Sequence, residues 1–263
     1  MMARLLATVD VGPGANNFAG ADISHENIEG VSWSYVNMTG ANLQHVNLRK
    51  ARLSFVNLSG ADLTGVCLDE AVLEHVSLGN AQLQQLSAQG ARLESCDLSG
   101  AQGLDGQWGR AILRNCNLTR TQLDRSDLTR SLVAHCDGSS LSLRDTILTR
   151  ANFSGSSLDG VVLEGAQDWF RSRDLISASL RAAVGSDLRR GMIIHAVQTG
   201  DLCWSEWHDL LKLHYPDLYP VALEVLGQYA QSGGREALAE RWEDPIQKAR
   251  RDRQSNRGVD DSR

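Results

Sequence analysis

The chain has 263 residues, five cysteines and a formal net charge of −6, enough for one or two domains. That mildly acidic balance excludes a nucleic-acid-binding protein as the default reading. No apolar run approaches the ~20 residues needed to span a membrane. The opening MMARLLATVD has a short apolar patch, but Asp10 follows and no clear cleavage site appears. Residues 1–15 therefore read as a lead-in strand or cap and not as a signal peptide.

From Asn16 to Gly165 the sequence repeats every five residues without insertion or deletion, as in ANLQHVNLRK at Ala41, ARLSFVNLSG at Ala51 and AILRNCNLTR at Ala111. With the large apolar position taken as the centre, centres fall at Phe18, Ile23, Ile28, Trp33, Met38 and onward to Leu163. Thirty consecutive pentads result, and only Ala88, Gly103 and Gly138 lack a large apolar centre. A register held over 150 residues predicts a stacked solenoid in which each coil touches only its neighbours.

The A-(D/N)-L-x-x pattern resembles the pentapeptide-repeat family over about 57% of the chain. The resemblance implies a mainly β fold: a right-handed quadrilateral β-helix of about seven to eight coils, four pentads to a coil. It also implies that the centre and the residue two before it point inward and the other three outward. The solenoid is expected over residues 16–166.

Alternate pentads differ. The position two before the centre is alanine at 41, 51, 61, 71, 81 and 91, and valine at 36, 46, 56, 66 and 76. Four-sided coils would place small residues on two opposite walls and β-branched residues on the other two. Cys96, Cys116 and Cys136 continue the column Val36, Val56, Val76. They read either as a thiol ladder or as small apolar filler. Packing is favoured, because neighbours in one column do not converge on one metal. Cys67 is expected to face outward, and unpaired thiols fit a reducing cytoplasm. The small centre Ala88 leaves space that Trp108, one coil later, is expected to fill, with Gly103 making room for the indole. Leu141 would compensate Gly138. A protruding loop at 101–110 is the alternative.

Function must sit on the outer surface. Asn and Asp before the centre, and Ser and Thr after it, suit the local satisfaction of corner backbone groups. Residues 16–100 carry nine acids against four bases, a net of −5, while residues 101–165 carry seven of each. Arg110, Arg130 and Arg150 share a column, and Tyr35, Phe55 and His75 share another. These six, with the acidic Asp62, Asp69, Glu70 and Glu74, form the candidate partner-binding surface, since aromatics and Arg are common interface anchors.

At Gln167 the rhythm stops, and apolar residues recur at helical spacing from Leu175 to Val197. A small all-α domain is expected over 167–247, acting as a docking or dimerisation module, followed by a disordered charged tail over 248–263. The cluster Cys203, His208, Asp209 and His214, with His195 upstream, lacks a fourth zinc ligand, a phosphate loop and paired carboxylates. The expectation is no enzyme activity, no cofactor and no metal. The reading is a cytoplasmic protein–protein interaction scaffold, a homodimer if the helical domain self-associates. The family resemblance brings in an alternative: a DNA mimic that binds a type II topoisomerase (gyrase) and gives resistance or self-immunity to a poison. A secreted effector is a further reading.

Overall fold

The computed structural model describes residues 16–169 together with 172, 174, 175, 178 and 212, nearly all within the first of the chain's two units, 1–182. Over 16–167 the chain is a four-sided β-solenoid. Every bridge is parallel and joins residues twenty apart, from Asn16↔Val36 to Ile147↔Gln167. Four pentads therefore make one coil, and coils stack at the ~4.8 Å spacing of a β-ladder.

The four walls differ in their centres. Wall 1 runs through Met38 and Leu58, wall 2 through Leu43 and Leu63, wall 3 through Leu48 and Leu68, and wall 4 through Trp33 and Leu53. The short strands are β1 (Asn16–Asn17), β2 (Ser32–Ser34), β3 (Val36–Asn37), β4 (Arg52–Ser54), β5 (Val72–Glu74), β6 (Arg92–Glu94), β7 (Ile112–Arg114) and β8 (Leu132–Ala134). β1 pairs with β3 on wall 1, whereas β2 and β4 to β8 form a six-stranded parallel sheet on wall 4.

Burial follows the pentad. Centres such as Leu43, Leu63 and Leu73 and their small partners Ala41, Ala61 and Ala71 are all fully buried. From 41 to 91 alanine fills walls 2 and 4, and from 36 to 76 valine fills walls 1 and 3, so each column holds one volume over these coils. The residue two after the centre is left-handed in every pentad from Gly20 to Gly165, yet only ten of these thirty positions are glycine. The rest are side chains such as Tyr35, Lys50 and Arg110 at φ 57, 58 and 59. Left-handed backbone costs roughly 1–2 kcal/mol for an ordinary L-residue. The coil-to-coil ladder over-determines the corner and holds it there.

The irregular pentads stay in phase, and no loop protrudes at 101–110, where the wall bridges Gln102↔Gln122 and Gln107↔Asp127 run through. Trp108 is buried over Ala88's column, but the glycine that admits it is not Gly103. A Cβ on Gly106 would stand 2.6 Å from the indole Nε1, whereas a Cβ on Gly103 would meet Leu123 at 2.9 Å. The reason is that Gly106 shares the pentad and wall of Trp108. Gly138 is filled by Leu158 and Leu141, at 2.9 and 3.6 Å from an added Cβ.

The ladder ends at Gln167, and Asp168 (φ 59) is the first left-handed residue out of phase. Beyond it Trp169, Leu175 and Ala178 are buried, and 174, 175 and 178 are helical. The rest of the expected helical domain lies outside the described residues. So do the lead-in 1–15, the 248–263 tail and the cluster His195, Cys203, His208, Asp209 and His214. No helix among the described residues is long and apolar enough to cross a membrane.

Candidate functional site

Three walls spend part of their surface on their own corners, wall 1 along most of its length and walls 2 and 3 mainly in the first coils. On walls 1 to 3 the outward Asn or Asp before the centre accepts the amide two residues on. Asn37 takes Thr39 at 3.1 Å, Asp62 takes Thr64 at 3.0 Å, and Asp127 takes Thr129 at 2.8 Å. The carboxylates of Asp62 and Asp137 lie below their ordinary range. For Asp62 burial pushes upward, but hydrogen bonds from Thr64 and Gln44 outweigh it; for Asp137 the bonds from Ser139 dominate. The same corners are closed by a turn bond from the next small residue to the centre carbonyl, as in Ala41 N to Met38 O at 3.0 Å.

Wall 4 differs on both counts. Its outward positions before the centre hold Ser32, Arg52, Val72, Arg92, Ile112 and Leu132, and no Asn or Asp until Asn152. No turn bond closes its trailing corner from residue 36 to residue 136; the first is Ser156 N to Phe153 O, at 3.2 Å. β-favouring side chains and a continuous sheet carry this wall instead. The cysteine column borders that open corner. Cys136 Sγ accepts the Cys116 amide at 3.4 Å, and Ser156 Oγ accepts the Cys136 amide at 3.1 Å. The thiols of Cys96 and Cys116 in turn reach the Leu73 and Leu93 carbonyls at 3.5 Å. All three cysteines are buried, as packing required, but they also bond the corner, which valine does not. The Cys116 thiol is held up at about 12: its bond with Cys136 acts downward, and its bond with Cys96 and burial outweigh that.

Tyr35, Phe55 and His75 stand on this trailing corner, one per coil. Their rings stack with centroids 4.9 and 4.8 Å apart and planes within 2° and 11°. The coil spacing imposes that stack. Tyr35 and Phe55, 46% and 47% exposed, are the exposed large hydrophobics among the described residues. Arg110, Arg130 and Arg150 occupy the opposite, leading corner of wall 4 and are all exposed. Glu70 shares their column and pairs with Arg49 at 2.8 Å, and Glu74 lies on the sheet itself, exposed.

Eight of the ten candidate residues thus fall on wall 4 or its two corners. Asp69 lies beside the leading corner but accepts from Ser87 Oγ at 2.6 Å and the Gln89 amide at 2.9 Å. Asp62 is on wall 2 and holds its own corner. Column reading missed Ile112 and Leu132, which are outward-facing and half-buried on the same wall. The signal was present: at 52, 72, 92, 112 and 132 the usual Asn or Asp gives way to Arg, Val, Arg, Ile and Leu. Among the described residues no group of three or more His, Cys, Asp or Glu is placed to hold a metal.

The family model for pentapeptide repeats matches in eight copies, over residues 37–74, 107–131 and 139–167. The unmatched stretch between the first two contains Leu86, Ala88 and Gly103, where the motif departs but the coil does not. No curated protein matches the chain. Similar solved structures include HetL, a pentapeptide repeat protein involved in heterocyst differentiation regulation in Nostoc sp. strain PCC 7120. It is 21% identical, covering 57% of this chain and 88% of HetL, with a TM-score of 0.30. Another is trypsin-treated QnrB1, a plasmid-mediated fluoroquinolone resistance protein, 18% identical over 60% of this chain and 77% of its own, with a TM-score of 0.37. A third is a pentapeptide repeat protein of the Arabidopsis thaliana thylakoid lumen, 19% identical over 53% and 81%, with a TM-score of 0.25. By its repeats and its four-sided coil, the stretch 16–167 of this chain is a pentapeptide-repeat solenoid.

Proposed function

We propose that the chain is a non-enzymatic, cytoplasmic protein–protein interaction scaffold whose partner surface is wall 4 with its two corners. The observation that carries this reading is the stacked ladder Tyr35–Phe55–His75. It exposes rigid aromatic area on the wall that carries no Asn or Asp cap from residue 32 to residue 132. Rigid aromatics bind at low entropic cost. The described cysteines are free thiols, in keeping with a reducing compartment.

The test uses the full-length chain as bait in an extract of its native host, beside a Tyr35→Ser/Phe55→Ser variant and a control altered on wall 2. Specific partners are expected on wild type and control and lost from the aromatic variant. Equal retention by all three would overturn the assignment of the surface. The topoisomerase-directed DNA mimic is less favoured, because Glu70 is paired with Arg49 and Asp62 and Asp69 are engaged in hydrogen bonds. Gyrase supercoiling assays with purified protein, with and without a quinolone, test it directly. Inhibition or protection at micromolar concentration would restore it.

A further inference from the structure

One other charged corner column of the rod neutralises itself. At the corner after wall 2 the order is Asp105, Arg125, Asp145, and Arg125 grips Asp105 through two bonds of 2.7 and 2.8 Å. In the column leading into wall 4, the first half likewise sets Lys50 before Glu70. The second half does not. Arg110, Arg130 and Arg150 follow one another on successive coils, exposed, and none makes an ion pair among the described residues. Each also takes the left-handed backbone, at φ 59, 60 and 59, in a column where Gly30 and Gly90 occupy the equivalent place. Three like charges at the coil spacing repel one another.

Two residues along the chain from Arg110 and Arg130 stand Ile112 and Leu132, facing outward. A cationic stripe thus runs beside an apolar one, parallel to the direction in which coils stack. We infer that this strip docks the acidic edge of an amphipathic α-helix of a partner protein, laid along the rod with its apolar face on Ile112 and Leu132. Spacing selects the helix. Successive turns of a helix advance 5.4 Å, against a coil spacing of ~4.8 Å, so across three arginines the two drift apart by only about 1 Å. Same-side residues of an extended peptide advance ~6.7 Å and would be out of step by about 4 Å. Arginine also binds carboxylates with a planar, two-pronged geometry that lysine lacks. Apolar contacts beside the charges give a helix an affinity that a bare polyanion does not share.

The inference rests on the scaffold reading, and its test can fail separately. Full-length protein is titrated with a fluorescent, stapled helical peptide carrying one glutamate per turn along one edge and leucines beside it. Unstapled polyglutamate and single-stranded DNA of equal charge serve as comparisons. The stapled helix is expected to bind most tightly and to weaken as salt rises. The Arg110→Gln/Arg130→Gln/Arg150→Gln variant should lose at least about tenfold in affinity while its circular dichroism and unfolding midpoint stay close to wild type. The Ile112→Ser/Leu132→Ser variant should weaken the helix but not the DNA. Absence of helix binding, equal binding of polyglutamate or DNA, or binding unchanged in the glutamine variant would each overturn the inference. If the glutamine variant keeps its native partners while the Tyr35→Ser/Phe55→Ser variant loses them, the scaffold reading stands and this inference falls.

Discussion

Walls 1 to 3 and wall 4 are built from the same pentads, yet they close in different ways. On the first three, turn bonds seal nearly every corner and an Asn or Asp caps the early coils, as at Ala61–Leu58 and Asn57–Ser59, both 3.0 Å. On wall 4 neither device operates between residues 36 and 136, and a six-stranded ladder does the holding. Surface positions that hold Asn or Asp caps in the early coils of three walls are therefore free of that demand on the fourth. There the chain places the Tyr35–Phe55–His75 stack, the outward Ile112 and Leu132 and the unopposed arginines. Function in this repeat is best sought where the repeat's own structural demand on the surface is lowest.

The largest expected effects lie inside, where the walls should not differ. Leu63→Ala on wall 2 and Leu73→Ala on wall 4 each empty a fully buried centre, and each should cost about 2–5 kcal/mol. Urea unfolding of both variants tests this. A wall-4 cost less than half the wall-2 cost would mean the open wall is packed on different terms. Surface changes should separate the walls. Asn42→Ala and Asn57→Ala remove caps on walls 2 and 1 and should cost about 1 kcal/mol each. Arg52→Ala and Arg92→Ala on wall 4 should stay within about 0.5 kcal/mol of wild type. Equal losses from the two pairs would break the contrast between the walls.

The inside of the rod was legible in the sequence, because volume and period dictate it: alanine and valine columns, buried cysteines and an unbroken register at 101–110. Two things were not. The period does not reveal left-handed backbone at every corner, since two-thirds of those positions carry side chains and the ladder, a non-local constraint, imposes the conformation. The open corner of wall 4 was equally hidden, because it is an absent turn bond that no single pentad displays. The place of Gly103 was hidden for a related reason. Room for the Trp108 indole comes from within its own pentad, at Gly106, and not from the neighbouring wall. The candidate residues were found by column, but their gathering around one wall appeared only when corners were compared.

The cysteine column sharpens the comparison on a smaller scale. Cys136→Val keeps the volume but removes the acceptor of the Cys116 amide beside the open corner. It should cost up to about 1 kcal/mol, whereas Val66→Cys, beside a corner closed by its own turn bond of 3.1 Å, gains no comparable partner. A Cys136→Val variant as stable as wild type would return the thiols to the role of filler. With its thiol held at about 12 and buried, Cys116 should also resist alkylation at neutral pH until the coil opens.

Acid should act through the capped walls, with the smallest effect. Asp62 on wall 2 and Asp137 on wall 1 have carboxyls lowered in the folded state, for Asp62 against the opposing effect of burial, by the hydrogen bonds they accept. The unfolded chain then binds protons more readily than the folded one. The stability these caps contribute is present in full above the unfolded value of about 3.9 and is lost as pH falls through the lower folded value. An asparagine keeps the accepting oxygen and removes the titration, as Asn117 does naturally one coil before Asp137. Asp62→Asn/Asp137→Asn should therefore leave stability at pH 7 little changed and flatten its decline below about pH 4. Urea midpoints measured across that range decide it. If the decline is as steep without the two carboxylates, the acid sensitivity arises elsewhere, and charge has no part in how these caps hold walls 1 and 2.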